Sequence, residues 1–185
     1  DDIFATFWPE MTVREATNVF HVTKRKISEK LGIDLTVYYA GFYRISPDID
    51  LRYDVRLFNG MVQDCAVRPP DQRLGLLERA LRLYKGIYLD GLDLPWVARN
   101  RSELQEMYAD ALLMLADVKR QAGHEREALG IYCRVWAAHP GHENVTRRIM
   151  QCYESTGQLP DALHAFDVLS DHTAANDMPA ISADL

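Results

Sequence analysis

The residue types with the most chemical content sit between Arg14 and Lys30, in VREATNVFHVTKRKISEKLG. Asparagine pairs with adenine, arginine with guanine, and an apolar group touches the methyl of thymine when a helix lies in a major groove. Asn18, His21, Val22 and Arg25 supply that set as candidate base readers. Arg14, Lys24, Lys26 and Lys30 are candidate phosphate neutralisers on the same segment. Five basic residues stand here against two glutamates. The bland alternative is a solvated surface helix that carries a run of charge.

Helical periodicity separates two faces of this segment. With Phe20 as reference, Ala16, Thr23, Ile27 and Leu31 fall in one narrow arc, which is expected to be the core face. Asn18, Val22, Arg25 and Glu29 fall opposite, with His21 and Arg14 beside them and Lys26 on the other flank. A valine between an asparagine and an arginine is out of place on a merely solvated face and suits a groove.

Other candidate chemistry is sparse. Cys65, Cys133 and Cys152 form no CxxC pair, so neither a zinc site nor a disulfide framework is suggested. They read as reduced, mostly buried thiols. His139, His142 and Glu143 straddle a proline-glycine turn and do not share one helix face as HExxH does, so no metal is expected. No phosphate-binding GxxxxGK[ST] or GxSxG motif occurs, and neither a cofactor nor catalysis is expected. The aromatics Tyr132, Trp136, Tyr153 and Phe166 suit a helical core better than a cofactor box.

The elements that must hold the basic segment can be read around it. Residues 1–8 suit a short helix that ends at Trp8-Pro9. Thr12 with Glu15 three residues on is a capping box, and Gly32 is a C-cap. LTVYYAGFYRIS, residues 35–46, is β-branched and aromatic with a break at Ala40-Gly41, which predicts a hairpin. Tyr39 and Arg44 on it are candidate backbone contacts for a wing.

From Ile49 onward the texture becomes helical. Helices are predicted over 54–67, 71–84, 101–121, 125–138, 142–156 and 160–170, with a loop over 86–95. RQAGHEREALGIY and ESTGQLPDALHAF align at a spacing of 34 residues, which brings Gly123 onto Gly157, Ala128 onto Ala162 and Tyr132 onto Phe166. That period, with a small residue before a buried aromatic, is the tetratricopeptide pattern. Three helix pairs forming an α-solenoid are expected over 49–170, followed by a disordered tail over 171–185.

Charge agrees with this division. The chain of 185 residues carries a net −6, but residues 1–46 balance six basic against six acidic groups. No apolar run is long enough to span a membrane and no secretory signal opens the chain, so a cytoplasmic protein is expected. The chain opens at Asp1 without methionine and reads as a piece of a longer protein.

FWPEMTVREATNVFHVTKRKISEKLG followed by GFYRI resembles the DNA-binding region of the SARP family of bacterial transcriptional activators. That family's motif is a Leu-Trp-Pro helix end, an Asn-x-Leu-His-Val-Thr-like recognition helix and a wing ending in Gly-x-Tyr-x-Leu. VRLF, LERALRLYKGIYLDGLDLPWVARNRSEL and the AL-x-x-Y units resemble the family's bacterial transcriptional activation domain. Gly86, Leu89, Gly91, Trp96 and Arg101 are the most specific part of the match.

The resemblance implies a mainly α protein. A partial winged helix over 1–46 supplies two helices and a β-hairpin wing, without the family's preceding sheet and first helix. A tetratricopeptide-like activation domain follows over 49–170. It implies binding of promoter DNA once the winged helix is completed. The helical domain would mediate self-association or contacts with RNA polymerase or a sensor domain. A protein-interaction module in a larger signalling protein, without autonomous DNA binding, is the competing expectation.

Overall fold

The computed structural model describes residues 2–138, 141–176, 178, 179 and 181. The chain forms two compact units, Asp1–Arg52 and Tyr53–Leu185.

In the N-terminal unit, α1 (Asp2–Phe7) precedes α2 (Val13–Leu31). The capping box that starts α2 is complete. The Thr12 hydroxyl accepts from the Glu15 backbone N–H at 3.4 Å, and the Glu15 carboxylate accepts from the Thr12 backbone N–H at 3.0 Å. Gly32 closes the helix at φ 69°, a left-handed conformation that costs glycine little, and its N–H donates to the Ser28 carbonyl at 2.8 Å. β1 (Thr36–Tyr39) and β2 (Phe42–Ile45) then pair antiparallel, with Tyr39 opposite Phe42. The two-residue connection Ala40-Gly41 has φ of 51° and 87°, the double positive φ that a tight hairpin requires to match strand twist.

Among the described residues of this unit only Ala16 and Ser46 are fully buried. A small aromatic cluster holds it together: Phe20 meets Phe4 at 5.9 Å and Tyr43 at 4.7 Å between ring centroids. Thr23, Ile27 and Leu31, expected in a core, are exposed, Ile27 at 42% and Leu31 at 55%. The arc is apolar as its periodicity said, but the hairpin is too small to cover more than its Ala16–Phe20 end.

The second unit contains α3 (Asp54–Val67), α4 (Pro70–Leu83), α5 (Pro95–Gln121), α6 (Glu125–Ala138), α7 (Glu143–Ser155) and α8 (Leu159–Ala175). Each packs on the next in sequence, as a solenoid of helix pairs does. Phe58, Val62, Cys65, Leu77, Ala80, Leu104, Ala111 and Leu115 form one core cluster. Tyr132, Val135, Val145, Ile149 and Ala165 belong to a second, and Leu81, Tyr108 and Ile131 touch both.

The 34-residue repeat is visible at its turns. Gly123 and Gly157 take φ of 82° and 75°, and the next residue's N–H reaches back five positions, His124 to Lys119 O at 2.9 Å and Gln158 to Tyr153 O at 2.8 Å. Ala128 and Ala162 are both buried, so the paired helices approach closely. Leu163, the counterpart of half-buried Leu129, is 64% exposed, because among the described residues no helix packs on the far side of α8.

Two boundaries differ from expectation by more than a residue. α5 begins at Pro95 rather than Arg101: proline is favoured in a helix's first turn because its missing N–H has no partner there anyway. The tail expected from residue 171 is helical to Ala175, where Leu169 is buried and the Thr173 hydroxyl donates to its carbonyl at 2.8 Å. Residues 177, 180 and 182–185 of that expected tail, and His139 of the rejected metal motif, lie outside the described residues.

Candidate nucleic-acid interface

α2 carries most of the candidate residues on one continuous helix of 19 residues. Asn18, His21, Val22 and Arg25 are all exposed, Val22 at 43%. Arg25 forms an ion pair with Glu29 at 3.4 Å, in which both side chains remain largely in solvent. Such a pair is weakly held and leaves the guanidinium able to exchange partners. His21 is fixed more firmly, with its ring edge-on to Phe20 at 5.8 Å and to Tyr43 at 6.2 Å.

The flanking cations divide. Arg14, Lys26 and Lys30 are exposed. Lys24 is half-buried, with its ammonium 5.5 Å from the centre of the Tyr43 ring, so it leans on the hairpin. On the hairpin, the Arg44 guanidinium lies 5.7 Å from the centre of the exposed Tyr39 ring. This cation–π contact presents a flat aromatic and a positive charge together. The register puts these two pairs on opposite faces of the hairpin, Lys24 with Tyr43 on the side that meets α2 and Arg44 with Tyr39 on the other.

The second unit's motif residues serve structure. Gly86 (φ 153°), Leu89 (φ 45°) and Gly91 (φ 83°) shape the α4–α5 loop. Arg101, half-buried on α5, donates from Nε to the Tyr88 carbonyl at 3.1 Å and from one terminal nitrogen to Leu89 O at 3.0 Å and Leu92 O at 3.3 Å. Arg101 is therefore a clamp on that loop. Trp96 is half-buried in the first turn of α5, beside fully buried Val97.

Sequence reasoning missed a half-buried polar network in this unit. The Tyr132 hydroxyl donates to Asp117 at 2.5 Å, Asp117 pairs with Arg148 at 3.2 Å, and the Arg148 guanidinium lies 6.0 Å from the centre of the Tyr132 ring. Burial, followed by that hydrogen bond and the charge of Asp117, raises the Tyr132 pKa. Asp117, Tyr132 and Arg148 lie on the successive helices α5, α6 and α7, so no local spacing signals the trio. The three cysteines are free, Cys65 and Cys152 buried and Cys133 half-buried. Burial pushes the Cys152 thiol up to about 11, helped by its hydrogen bond to the Glu125 carboxylate. Among the described residues no group of three His, Cys, Asp or Glu is placed to hold a metal ion, and no helix is long and apolar enough to cross a membrane.

Residues 53–176 match the family described as bacterial transcriptional activator domain. The matched segment corresponds to the activation-domain half of the resemblance read from the sequence. No curated protein matches the chain. Among solved structures, the chain is similar to Mycobacterium tuberculosis EmbR, determined in complex with a low affinity phosphopeptide. The TM-score is 0.80 at 22% identity, over 97% of this chain and 50% of that one. The chain therefore spans about half the length of that solved chain, and at this identity the likeness is one of fold.

Proposed function

The chain belongs to the bacterial transcriptional activator domain family, and we propose that it is the DNA-binding and contact portion of a transcriptional regulator, with α2 as the recognition helix. The observation that carries this reading is the common exposure of Asn18, Val22 and Arg25 on one face of a capped helix, with a hairpin bearing Tyr39 and Arg44 beside it. Asn18 and Arg25 would read base edges, and Val22 a thymine methyl. Arg14, Lys26, Lys30 and the hairpin would contact phosphates. In this reading the helical unit makes the protein contacts, with itself, with RNA polymerase or with a sensor domain.

The test is anisotropy of fluorescent duplexes selected from a random pool, measured across salt. Each phosphate contact contributes about −0.9 to the slope of log K against log salt. Lys26→Ala is expected to weaken binding to every duplex and to flatten the slope by about one. Arg25→Ala is expected to cost about 1–3 kcal/mol of discrimination at one base pair with little change in slope. Absence of any salt-dependent binding, with the chain extended upstream to complete the winged helix, would overturn the reading.

A second reading has one observation in its favour. Ile27 and Leu31 leave half of α2's apolar arc in solvent, and residues 1–46 carry no net charge. On that reading the N-terminal unit serves contacts with other protein, and the same titration gives no binding.

A further inference from the structure

The helical unit holds a groove of about 570 Å³ whose long wall is one face of α5. The residues along that wall are Glu103, Glu106, Met107, Asp110, Met114 and Asp117, the 3-4 spacing of a single helical face. Its charge is unbalanced. Glu103, Glu106 and Asp110 are exposed, and among the described residues none of the three forms an ion pair. Like charges three and four residues apart destabilise a helix, so this arrangement opposes the stability of α5 when nothing sits on it. The one cation lining the groove, Arg148, is already held by Asp117 at 3.2 Å. Between the acids lie Met107 and Met114, half-buried thioethers that adapt to the shape of an apolar partner. Ala66 on α3, opposite, is small and leaves the space open.

We propose that this groove receives a cationic amphipathic helix from a partner protein. Its Lys or Arg side chains would meet Glu103, Glu106 and Asp110, and one or two aliphatic anchors would fill the space over Met107 and Met114. Glu103 to Met114 spans about 16 Å at 1.5 Å per residue, so roughly three turns of the incoming helix engage. The acid wall also selects against an anionic partner such as a phosphorylated segment. The inference gives a chemical class to the contact role of the helical unit and is independent of DNA binding by α2.

The test uses the full chain and a fluorescein-labelled 15-residue peptide of leucine and lysine with helical segregation of the two. A scrambled peptide of the same composition and a phosphoserine-containing acidic peptide serve as comparisons. The helical peptide is expected to bind more tightly than either by at least tenfold, and more weakly as salt rises. E103K/E106K/D110K is expected to reduce its affinity at least tenfold, whereas E78K/D167K/D171K, an equal charge change at exposed acids outside the groove, reduces it less than threefold. M107S/M114S is expected to weaken binding without changing its salt dependence, and circular dichroism of each variant reports folding. Equal losses in the two triple variants would reduce the effect to net charge and overturn the proposal. So would self-association of the chain that E103K/E106K/D110K abolishes, which would make a second copy the occupant. DNA binding is expected to be unchanged in the charge-neutral M107S/M114S, so a failure of the recognition-helix reading leaves this result separate.

Discussion

Replacing Arg101 by Met removes the guanidinium but keeps an apolar stem of similar reach. In the native protein that group donates to Tyr88 O at 3.1 Å, Leu89 O at 3.0 Å and Leu92 O at 3.3 Å. The last two bonds share one nitrogen and count together as little more than one. A hydrogen bond from a charged donor is worth about 1.5–3 kcal/mol net, and less where water can replace it. One partly buried and one exposed bond therefore give a loss of about 2–3 kcal/mol in total. Leu89 at φ 45° adds to the effect: the left-handed conformation costs a side-chain-bearing residue roughly 1–2 kcal/mol, which the clamp opposes. For a unit of roughly 130 residues, unfolding entropy near 0.28 kcal/mol/K converts that loss into a fall of about 7–11 °C in Tm. That fall appears only if the loop melts with the helices. If the loop opens locally, Tm moves less and the amides of residues 86–94 lose exchange protection instead. Thermal circular dichroism and hydrogen exchange together separate the two cases. Arg101→Lys, with one compact donor group, should recover about half of the loss. Unchanged Tm together with unchanged protection over 86–94 in Arg101→Met would refute the clamp.

Four further outcomes follow from the same geometry. Thr12→Ala should cost α2 about 1 kcal/mol, read from the Cα shifts of its first turn. Glu15's carboxyl is held below its usual range, chiefly by the hydrogen bond from the Thr12 hydroxyl and then by that from the Thr12 backbone. A lowered folded pKa stabilises above the ordinary value of 4.5 and is lost as pH falls through the lowered one, so α2 should fray in acid, and Glu15→Gln should remove that pH dependence. Ala128→Leu places a large side chain where α6 is fully buried and should cost about 1–3 kcal/mol in a denaturant titration; Ala162→Leu on α8 should cost less. Cys152, buried and with its thiol pushed up to about 11, should react with maleimide at pH 8 at least a hundredfold more slowly in the folded protein than after unfolding.

Local signals along the chain and tertiary arrangement decided different things. The capping box at Thr12 and Glu15, the glycine stop at Gly32 and the Ala40-Gly41 turn are short-range, and each is present where the residues indicate it. α3 and α6 begin and end where their periodicity places them, at Asp54–Val67 and Glu125–Ala138. The 34-residue repeat announced the solenoid because two successive units bury the same small residue, Ala128 and Ala162, after the same exposed glycine turn. The roles of the loop motif were not legible: Gly86, Leu89, Gly91 and Arg101 stood out as a pattern, but nothing in their spacing says that the arginine holds the loop by its carbonyls. Likewise the outward face of α2 was legible from angles alone, whereas the fate of its inward face was not.

The sequence by itself determined which stretches are helices, which form the hairpin and, apart from the start of α5 and the end of α8, roughly where each begins and stops, because caps, turn residues and apolar period act over a few residues. It also determined that Asn18, Val22 and Arg25 share one side of α2. Only the tertiary structure decided which apolar residues are covered. Ile27 and Leu31 read as core and stand in solvent, since burial depends on a neighbour that periodicity cannot supply. It also decided that Asp117, Tyr132 and Arg148 meet, and that the unpaired acids of α5 line a groove, because both depend on helices brought side by side from distant parts of the chain.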